Sequence, residues 1–162
     1  MPISAEQLTA LIDRHAVPLR IWAGRRSSAA EDIVQEAFCR LAVLKQQPDN
    51  PAAWLYRVVR NLAESDRLSS ERRIAREAEV APTEQFQSDP EVNIQKDEAV
   101  KAVWELEESL REVITARIWG GLTFEEIGLL CDISTATASR RYRDALEQLR
   151  IKLESPCPTN NT

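Results

Sequence analysis

Glycine is scarce in this sequence, with four residues in 162, and most of the eight prolines lie outside the stretches of helical periodicity. A β-rich fold with many tight turns needs glycine and proline at frequent intervals. Apolar residues instead recur every three to four positions along most of the chain, which is the spacing of amphipathic helices. The sequence therefore predicts an all-α fold.

Metal ligands and membrane segments are also lacking. His15 is the only histidine, and Cys39, Cys131 and Cys157 are widely separated with no CxxC pair. The sequence thus predicts no metal and no cofactor, with Cys39 and Cys131 as small core residues of a reduced protein. Because no uncharged apolar run approaches about 18 residues and no signal peptide is visible, we expect a cytoplasmic protein without a membrane partner.

The net charge of −5 is unevenly distributed. Residues 1–77 carry 12 basic and 10 acidic groups, residues 78–98 carry one lysine and six acids, and residues 99–162 carry 8 basic and 10 acidic groups. Residues 78–95 lack periodicity and contain two prolines, so they are predicted to link two small helical domains. Because phosphate neutralisation supplies most non-specific affinity for DNA, this chain should bind DNA poorly without a partner.

The first helix is predicted to begin at Ser4, with Gln7 completing a capping box. Pro18 interrupts its apolar stripe, so a kink or break is expected near Val17. His15 lies on the stripe and is interpreted as a partly buried spacer.

A second helix is predicted from about residue 28 to residue 45. Asp32 and Glu36 fall one turn apart on one side of it. Two carboxylates at this spacing could serve as metal ligands or as an acid/base pair. No third carboxylate or histidine accompanies them, so a solvated or partner-binding face is favoured.

A third helix follows the loop KQQPDNP (residues 45–51) and is entered through Asn50. Trp54 and Tyr56 alternate in it with arginines. Cations and aromatic rings together are typical of a surface that binds single-stranded nucleic acid. An ordinary core role for the aromatic residues with a solvated arginine face explains the same pattern, and the residues alone leave both interpretations open.

The most specific pattern is a helix-turn-helix near the C-terminus. Thr123 and Glu126 form a predicted capping box, Gly128 permits close helix approach, and CDIS (residues 131–134) forms the turn. Ser134 caps a last helix whose residues Ala138, Tyr142, Ala145, Leu146 and Leu149 are expected to face inward. Four arginines and Lys152, against two acidic residues, give residues 134–152 a net charge of +3. This favours DNA binding, although a helical hairpin without that function could share the pattern.

Three segments in order resemble one known family. AAEDIVQEAFCRL (residues 29–41), AWLYRVVRNLA (residues 53–63) and residues 110–150 are similar to the core-binding, promoter-melting and −35-reading segments of extracytoplasmic-function (ECF) sigma factors. The resemblance covers nearly the whole chain. It implies a protein that binds the β′ and β subunits of RNA polymerase core and directs it to promoter DNA, with an anti-sigma factor as a further candidate partner.

The resemblance also implies residue roles. A DxxQE element that docks on a coiled coil of β′ is matched by Asp32, Gln35 and Glu36. The −10 element would be held by Lys45, Gln46, Asp49, Asn50, Arg57, Arg60 and Asn61, with Asn61 beside the loop and Trp54 anchoring the helix. The −35 element would be read by Thr135, Thr137, Ser139, Arg140 and Arg143. The implied division is region 2 at residues 1–77, a linker at 78–95, region 4 at 96–153 and a disordered tail at 154–162.

Two other classes of protein remain as alternatives. A stand-alone helix-turn-helix regulator would bind duplex DNA without polymerase and would use its N-terminal half as a sensor or dimerisation domain. A metal-dependent hydrolase built on Asp32 and Glu36 would need a third ligand, a nucleophile motif or a phosphate-binding glycine loop, and none is visible.

Overall fold

The computed structural model describes residues 1–24, 29–78 and 98–154, and these residues form seven α-helices and no strand. The helices are α1 (Ala5–Gly24), α2 (Ala30–Ala42), α3 (Pro51–Ala78), α4 (Glu98–Trp104), α5 (Glu108–Ile118), α6 (Phe124–Cys131) and α7 (Thr135–Glu154). The all-α prediction is confirmed. Nearly all of the predicted linker and tail, and the predicted start of the second helix, lie outside the described residues.

Helix α1 begins as predicted but does not end where expected. The Ser4 N–H donates to Oε1 of Gln7 at 3.1 Å and the Gln7 N–H donates to Oγ of Ser4 at 3.2 Å, which completes the capping box. The helix then runs through Pro18 to Gly24, so the break expected as one of two outcomes near Val17 is wrong, while the kink stays a prediction. The residues after Pro18, including Trp22, are buried. Their burial favours the helical conformation more than the lost backbone hydrogen bond disfavours it.

The first three helices pack against one another. Helix α2 ends at Ala42, three residues before the predicted end at residue 45, and it buries Ile33, Ala37, Phe38 and Leu41, as its apolar stripe indicated. Cys39 is exposed, so its assignment to the core is wrong. It follows buried Phe38 and therefore points about 100° away, towards the polar side of the helix.

Helices α6 and α7 form the predicted helix-turn-helix. The Glu126 N–H donates to Oγ1 of Thr123 at 3.1 Å, and the Thr123 N–H donates to Oε2 of Glu126 at 2.8 Å. Asp132 closes the turn in the left-handed conformation, with φ of 56°. A Cβ on Gly128 would lie 2.8 Å from the carbonyl oxygen of Ile133, which explains why the close approach needs glycine here.

Ser134 caps helix α7, because its Oγ accepts a hydrogen bond from the Thr137 N–H at 3.0 Å. Ala138 and Ala145 are buried as expected. Leu146 is 41% exposed, so its inward assignment is wrong. The buried stripe on this helix is narrower than predicted, since it consists of Ala138 and Ala145, with Tyr142 and Leu149 only partly buried beside them.

The two helical groups, α1–α3 and α4–α7, are packed directly against each other. One apolar cluster joins Leu19, Leu55 and Val59 to Val113, Ala116, Leu122 and Ile127 of the second group. A second cluster contains Ile21 of α1 together with residues of α4, α5 and α7. The sequence predicted two domains but gave no indication of this shared packing.

Candidate nucleic-acid interface

The polar face of α2 carries the three residues of the predicted polymerase-docking element. Asp32, Gln35 and Glu36 are all exposed, while Ile33 and Val34 between them are buried. Oε1 of Glu36 accepts a hydrogen bond from Nε of Arg40 at 2.8 Å, one turn further along the helix. The structure therefore brings the three side chains together on one accessible surface, called here the α2 face.

The loop between α2 and α3 holds four of the predicted −10 residues. Lys45, Gln46, Asp49 and Asn50 are exposed. The Gln47 N–H donates to the carbonyl oxygen of Met1 at 3.1 Å, which ties the loop to the N-terminus of the chain. Asn50 caps α3, because its Oδ1 accepts from the Ala53 N–H at 3.0 Å.

The aromatic residues of α3 belong to the core. Tyr56 is fully buried, with its ring edge-on to Trp22 at a centroid distance of 5.3 Å. Burial raises the pKa of its phenol far above the ordinary range. Trp54 is partly buried and packs against the same cluster, which agrees with its expected anchoring role. Of the two interpretations left open for these aromatics, the structure supports the core role for Tyr56.

The α3 residues predicted to bind the open DNA strand differ in their surroundings. Arg57 and Asn61 are exposed, whereas Arg60 is partly buried and its Nη1 lies 3.2 Å from Oε1 of Glu112 on α5. Asn61 lines a cleft of about 720 Å³ between α3 and α5, called here the interdomain cleft. Its walls carry four glutamates and two arginines, which gives the lining a formal net charge of −2.

Asn61 does not lie where it was expected to lie in relation to the loop. None of the residues 45–51 lines the interdomain cleft. Asn61 lies eleven positions after the cap residue Asn50, which is about 16 Å along the axis of α3. The loop before α3 and Asn61 on α3 therefore form two separate polar sites, and Arg57 lies between them along the chain.

The front of α7 presents the predicted −35 residues. Thr135, Arg140 and Arg143 are exposed, and Thr137 and Ser139 are partly exposed. Because Ala138 is buried against the core, the polar side chains on either side of it point outward. The N-terminal turns of a second helix in a helix-turn-helix are the part that enters a major groove.

Two glutamates of the second helical group make contacts with the first group that the sequence did not predict. Glu112 pairs with Arg60, and Oε1 of Glu126 accepts from Nδ2 of Asn50 at 3.4 Å. The sequence did carry a signal for Glu112, because this acidic residue directly precedes the apolar residues Val113 and Ile114 of α5. Glu126 was already accounted for by the predicted capping box, so no contact with Asn50 was expected.

The described residues offer little to other kinds of chemistry. Within residues 1–24, 29–78 and 98–154, no group of three or more histidine, cysteine, aspartate or glutamate side chains could hold a metal ion. In the same ranges no helix is long and apolar enough to cross a membrane.

Two family models match the chain in the order of its helical groups. Sigma-70 region 2 matches residues 11–74, and Sigma-70, region 4 matches residues 102–150. The chain belongs to the sigma-70 family. This sigma factor is a DNA-binding protein of transcription initiation, and members of the family are regulatory factors rather than enzymes.

Individual relatives place the sigma factor among the ECF members. It is 28% identical over 160 residues to the ECF RNA polymerase sigma factor SigL of Mycobacterium tuberculosis, covering 93% of this chain and 90% of SigL. Its fold is similar to that of the sigma factor RpoE in complex with the anti-sigma factor NepR from Bartonella quintana, with a TM-score of 0.57, 20% identity and coverage of 94% and 99% of the two chains. It is also similar to CnrH in complex with the cytosolic domain of CnrY, with a TM-score of 0.51, 19% identity and coverage of 94% and 91%.

Proposed function

We propose that this ECF sigma factor docks on RNA polymerase core through the α2 face and reads two promoter elements with two separate surfaces. The observation that carries the proposal is the exposure of Asp32, Gln35 and Glu36 side by side on α2, with apolar residues on the opposite side. A carboxylate pair on an exposed helix suits a basic partner surface, and it needs no catalytic explanation.

Promoter opening is assigned to the loop and to α3. Lys45, Gln46, Asp49 and Asn50 supply polar groups for an extruded base, and Asn61 supplies a further amide at a second site. Arg57 and Arg60 supply cations for the backbone of the open strand. Since Tyr56 is buried, base stacking on it takes no part in the proposal.

Recognition of the −35 element is assigned to α7. Thr135, Thr137, Ser139, Arg140 and Arg143 lie on its outward side near the N-terminal end, where a recognition helix contacts base edges and phosphates. The corresponding division of the chain is region 2 at residues 1–77 and region 4 at residues 96–153.

We further propose that the protein acts in the cytoplasm as an initiation factor and has no catalytic role of its own. RpoE, whose fold is similar, was solved with the anti-sigma factor NepR. By that likeness we include a protein antagonist of this kind among the partners.

Run-off transcription with purified core polymerase on a genomic promoter pool tests the proposal. We expect discrete transcripts that require both core and the sigma factor. Tight sequence-specific binding to duplex DNA without core, together with no transcripts, would instead indicate a stand-alone regulator.

A further inference from the structure

The charged residues in the C-terminal half of α7 have partners within the protein. Nη2 of Arg150 lies 2.6 Å from Oε1 of Glu147, and its Nη1 lies 3.0 Å from Oε2 of Glu154. The hydrogen bond from Arg150 and its positive charge lower the pKa of the Glu147 carboxyl. Lys152 pairs with Glu105 at 3.1 Å. These groups are therefore satisfied without DNA.

The first half of α7 differs in this respect. Arg140, Arg143 and Asp144 are exposed. In the part of the chain that the structure describes, none of the three side chains forms an ion pair or a hydrogen bond. Asp144 is also the first acidic residue of the helix, since residues 135–143 contain none. A carboxylate without a partner thus stands beside two arginines without partners.

Asp144 lies on the outward side of α7. Buried Ala138 marks the side that faces the core, and Arg140, two residues later, points about 160° away from it. Asp144 follows Arg140 by four residues, which is about 40° around the helix axis and about 6 Å along it. A docking pose that brings Arg140 to a DNA groove therefore brings Asp144 to the same groove.

The chemistry of a carboxylate limits what Asp144 can contact there. An ionised carboxylate only accepts hydrogen bonds, and the phosphates of DNA repel it. In the major groove guanine offers two acceptors, thymine an acceptor and a methyl group, and adenine a donor beside an acceptor. Cytosine offers its N4 amino donor alone. Cytosine is therefore the base whose edge suits Asp144.

We propose that Asp144 is a base-reading residue of α7 and accepts a hydrogen bond from the N4 amino group of a cytosine in the −35 element. The inference rests on the proposed role of α7 in reading that element. The arginines of the helix suit guanine or phosphate, whereas Asp144 suits neither. Because Arg140 and Asp144 are about 6 Å apart along the axis, and base pairs are about 3.4 Å apart, their contacts fall about two base pairs from each other.

Transcription of a promoter library tests the inference. The −35 element of one sigma-dependent promoter is randomised and barcoded, and holoenzyme reconstituted from core polymerase and the full-length chain transcribes the pool. With the wild type we expect one position at which cytosine is preferred. Asp144→Ala should reduce this preference by about 5- to 150-fold and leave the other positions unchanged. Promoters without the cytosine should be transcribed at least as well as before, since a repelling charge is gone.

A second variant changes the base that is read. Asp144→Asn keeps the size of the side chain and adds an amide donor. An amide pairs with both N6 and N7 of adenine, so this variant should shift the preferred base at the same position from cytosine to adenine. Both substitutions are at an exposed position, which leaves the core of the protein unchanged.

Glu147→Ala is the matched control. It removes another exposed carboxylate one turn further along α7, and that carboxylate is already paired with Arg150, so base preferences should not change. An unaltered profile for Asp144→Ala, or a uniform gain at all sequences, would overturn the inference while the proposed function stands. Absence of sigma-dependent transcripts with the wild-type chain would overturn the proposed function and this inference together.

Discussion

The guanidinium of Arg111 lies 5.5 Å from the centroid of the Trp104 ring, within the core of the second helical group. Its Nη1 also donates to the carbonyl oxygens of Trp104 and Leu106, at 3.2 and 3.4 Å. The side chain is 1% exposed. It therefore supplies hydrogen-bond donors to the C-terminus of α4, where helix carbonyls lack partners within the helix, and a cation there is also favoured by the helix dipole.

Arg111→Met should destabilise the protein by about 2 kcal/mol, because it removes the donor from buried carbonyl groups while keeping most of the apolar volume. Urea unfolding followed by circular dichroism measures the change. Arg72→Met, at an exposed position of α3, is the control and should change the free energy of unfolding by less than about 0.5 kcal/mol. Equal effects of the two substitutions would contradict the structural role of Arg111.

Acid should weaken the fold through His15. Burial and the nearby charge of Arg14 lower the pKa of this imidazole below its ordinary value of about 6.5. Below that pH the unfolded chain binds the proton more readily, so the free energy of unfolding falls as the pH drops from about 6.5 through the folded-state pKa. Urea unfolding at about pH 7.5 and about pH 5.5 should show a smaller difference in His15→Gln than in wild type. The same difference in both proteins would argue against this linkage.

The double substitution Asp32→Ala with Glu36→Ala should reduce affinity for core polymerase without loss of the fold, since both side chains are exposed. A fluorescence titration with labelled sigma factor measures the affinity. Glu6→Ala with Asp13→Ala removes two exposed carboxylates from α1 and is the matched control. The assignment of the α2 face fails if the two double variants bind core equally well.

On α7, Arg140→Ala and Arg143→Ala should each weaken recognition of the −35 element. An arginine that reads a guanine with two hydrogen bonds should cost about 1–3 kcal/mol at that base pair, whereas one that contacts a phosphate should weaken all sequences alike. Arg150→Ala, whose arginine pairs with Glu147 and Glu154 further along the helix, is the control. Transcription that tolerates both test substitutions would remove α7 from the proposal.

Asn61→Ala should affect promoter opening more than docking. Unstacking a base costs a few kcal/mol, so losing one hydrogen-bonding group at the extruded strand should reduce the open population while closed complexes still form. Permanganate reactivity around −10, with core binding and thermal melting measured in parallel, tests this. Ser65→Ala, one turn along α3 and also exposed, is the control. Full opening by Asn61→Ala would show that the amide is dispensable.

Features that depend on nearby residues could be predicted from the sequence. The capping boxes at Ser4 and Thr123 each join residues three apart, and the turn at Asp132 follows from the same local pattern. Exposure of the α2 face could also be predicted, because helical spacing places Asp32 and Glu36 opposite the apolar stripe of α2. Periodicity indicates which side of a helix is buried, so a surface carried by a single helix can be predicted from it.

Contacts between distant segments could not be predicted in this way. Ile21 lies outside the apolar stripe of α1 that contains Leu19 and Trp22, and nothing in the sequence indicates that it is buried against α4, α5 and α7. The same limit applies to Arg60, since its pairing with Glu112 joins residues 52 positions apart. Pro18 shows the reverse effect, in which long-range burial overrides a local rule that predicted a break.

The burial of Ile21 has a thermodynamic consequence for any separation of the two helical groups. Parting them exposes this side chain, the Trp104 ring and their apolar neighbours to water, which gives the opening a positive heat capacity change. The enthalpy of separating the groups therefore increases with temperature, so the free energy of separation is a curved rather than a linear function of temperature. Since apolar burial weakens on cooling, the packing of the two helical groups against each other is less favourable in the cold.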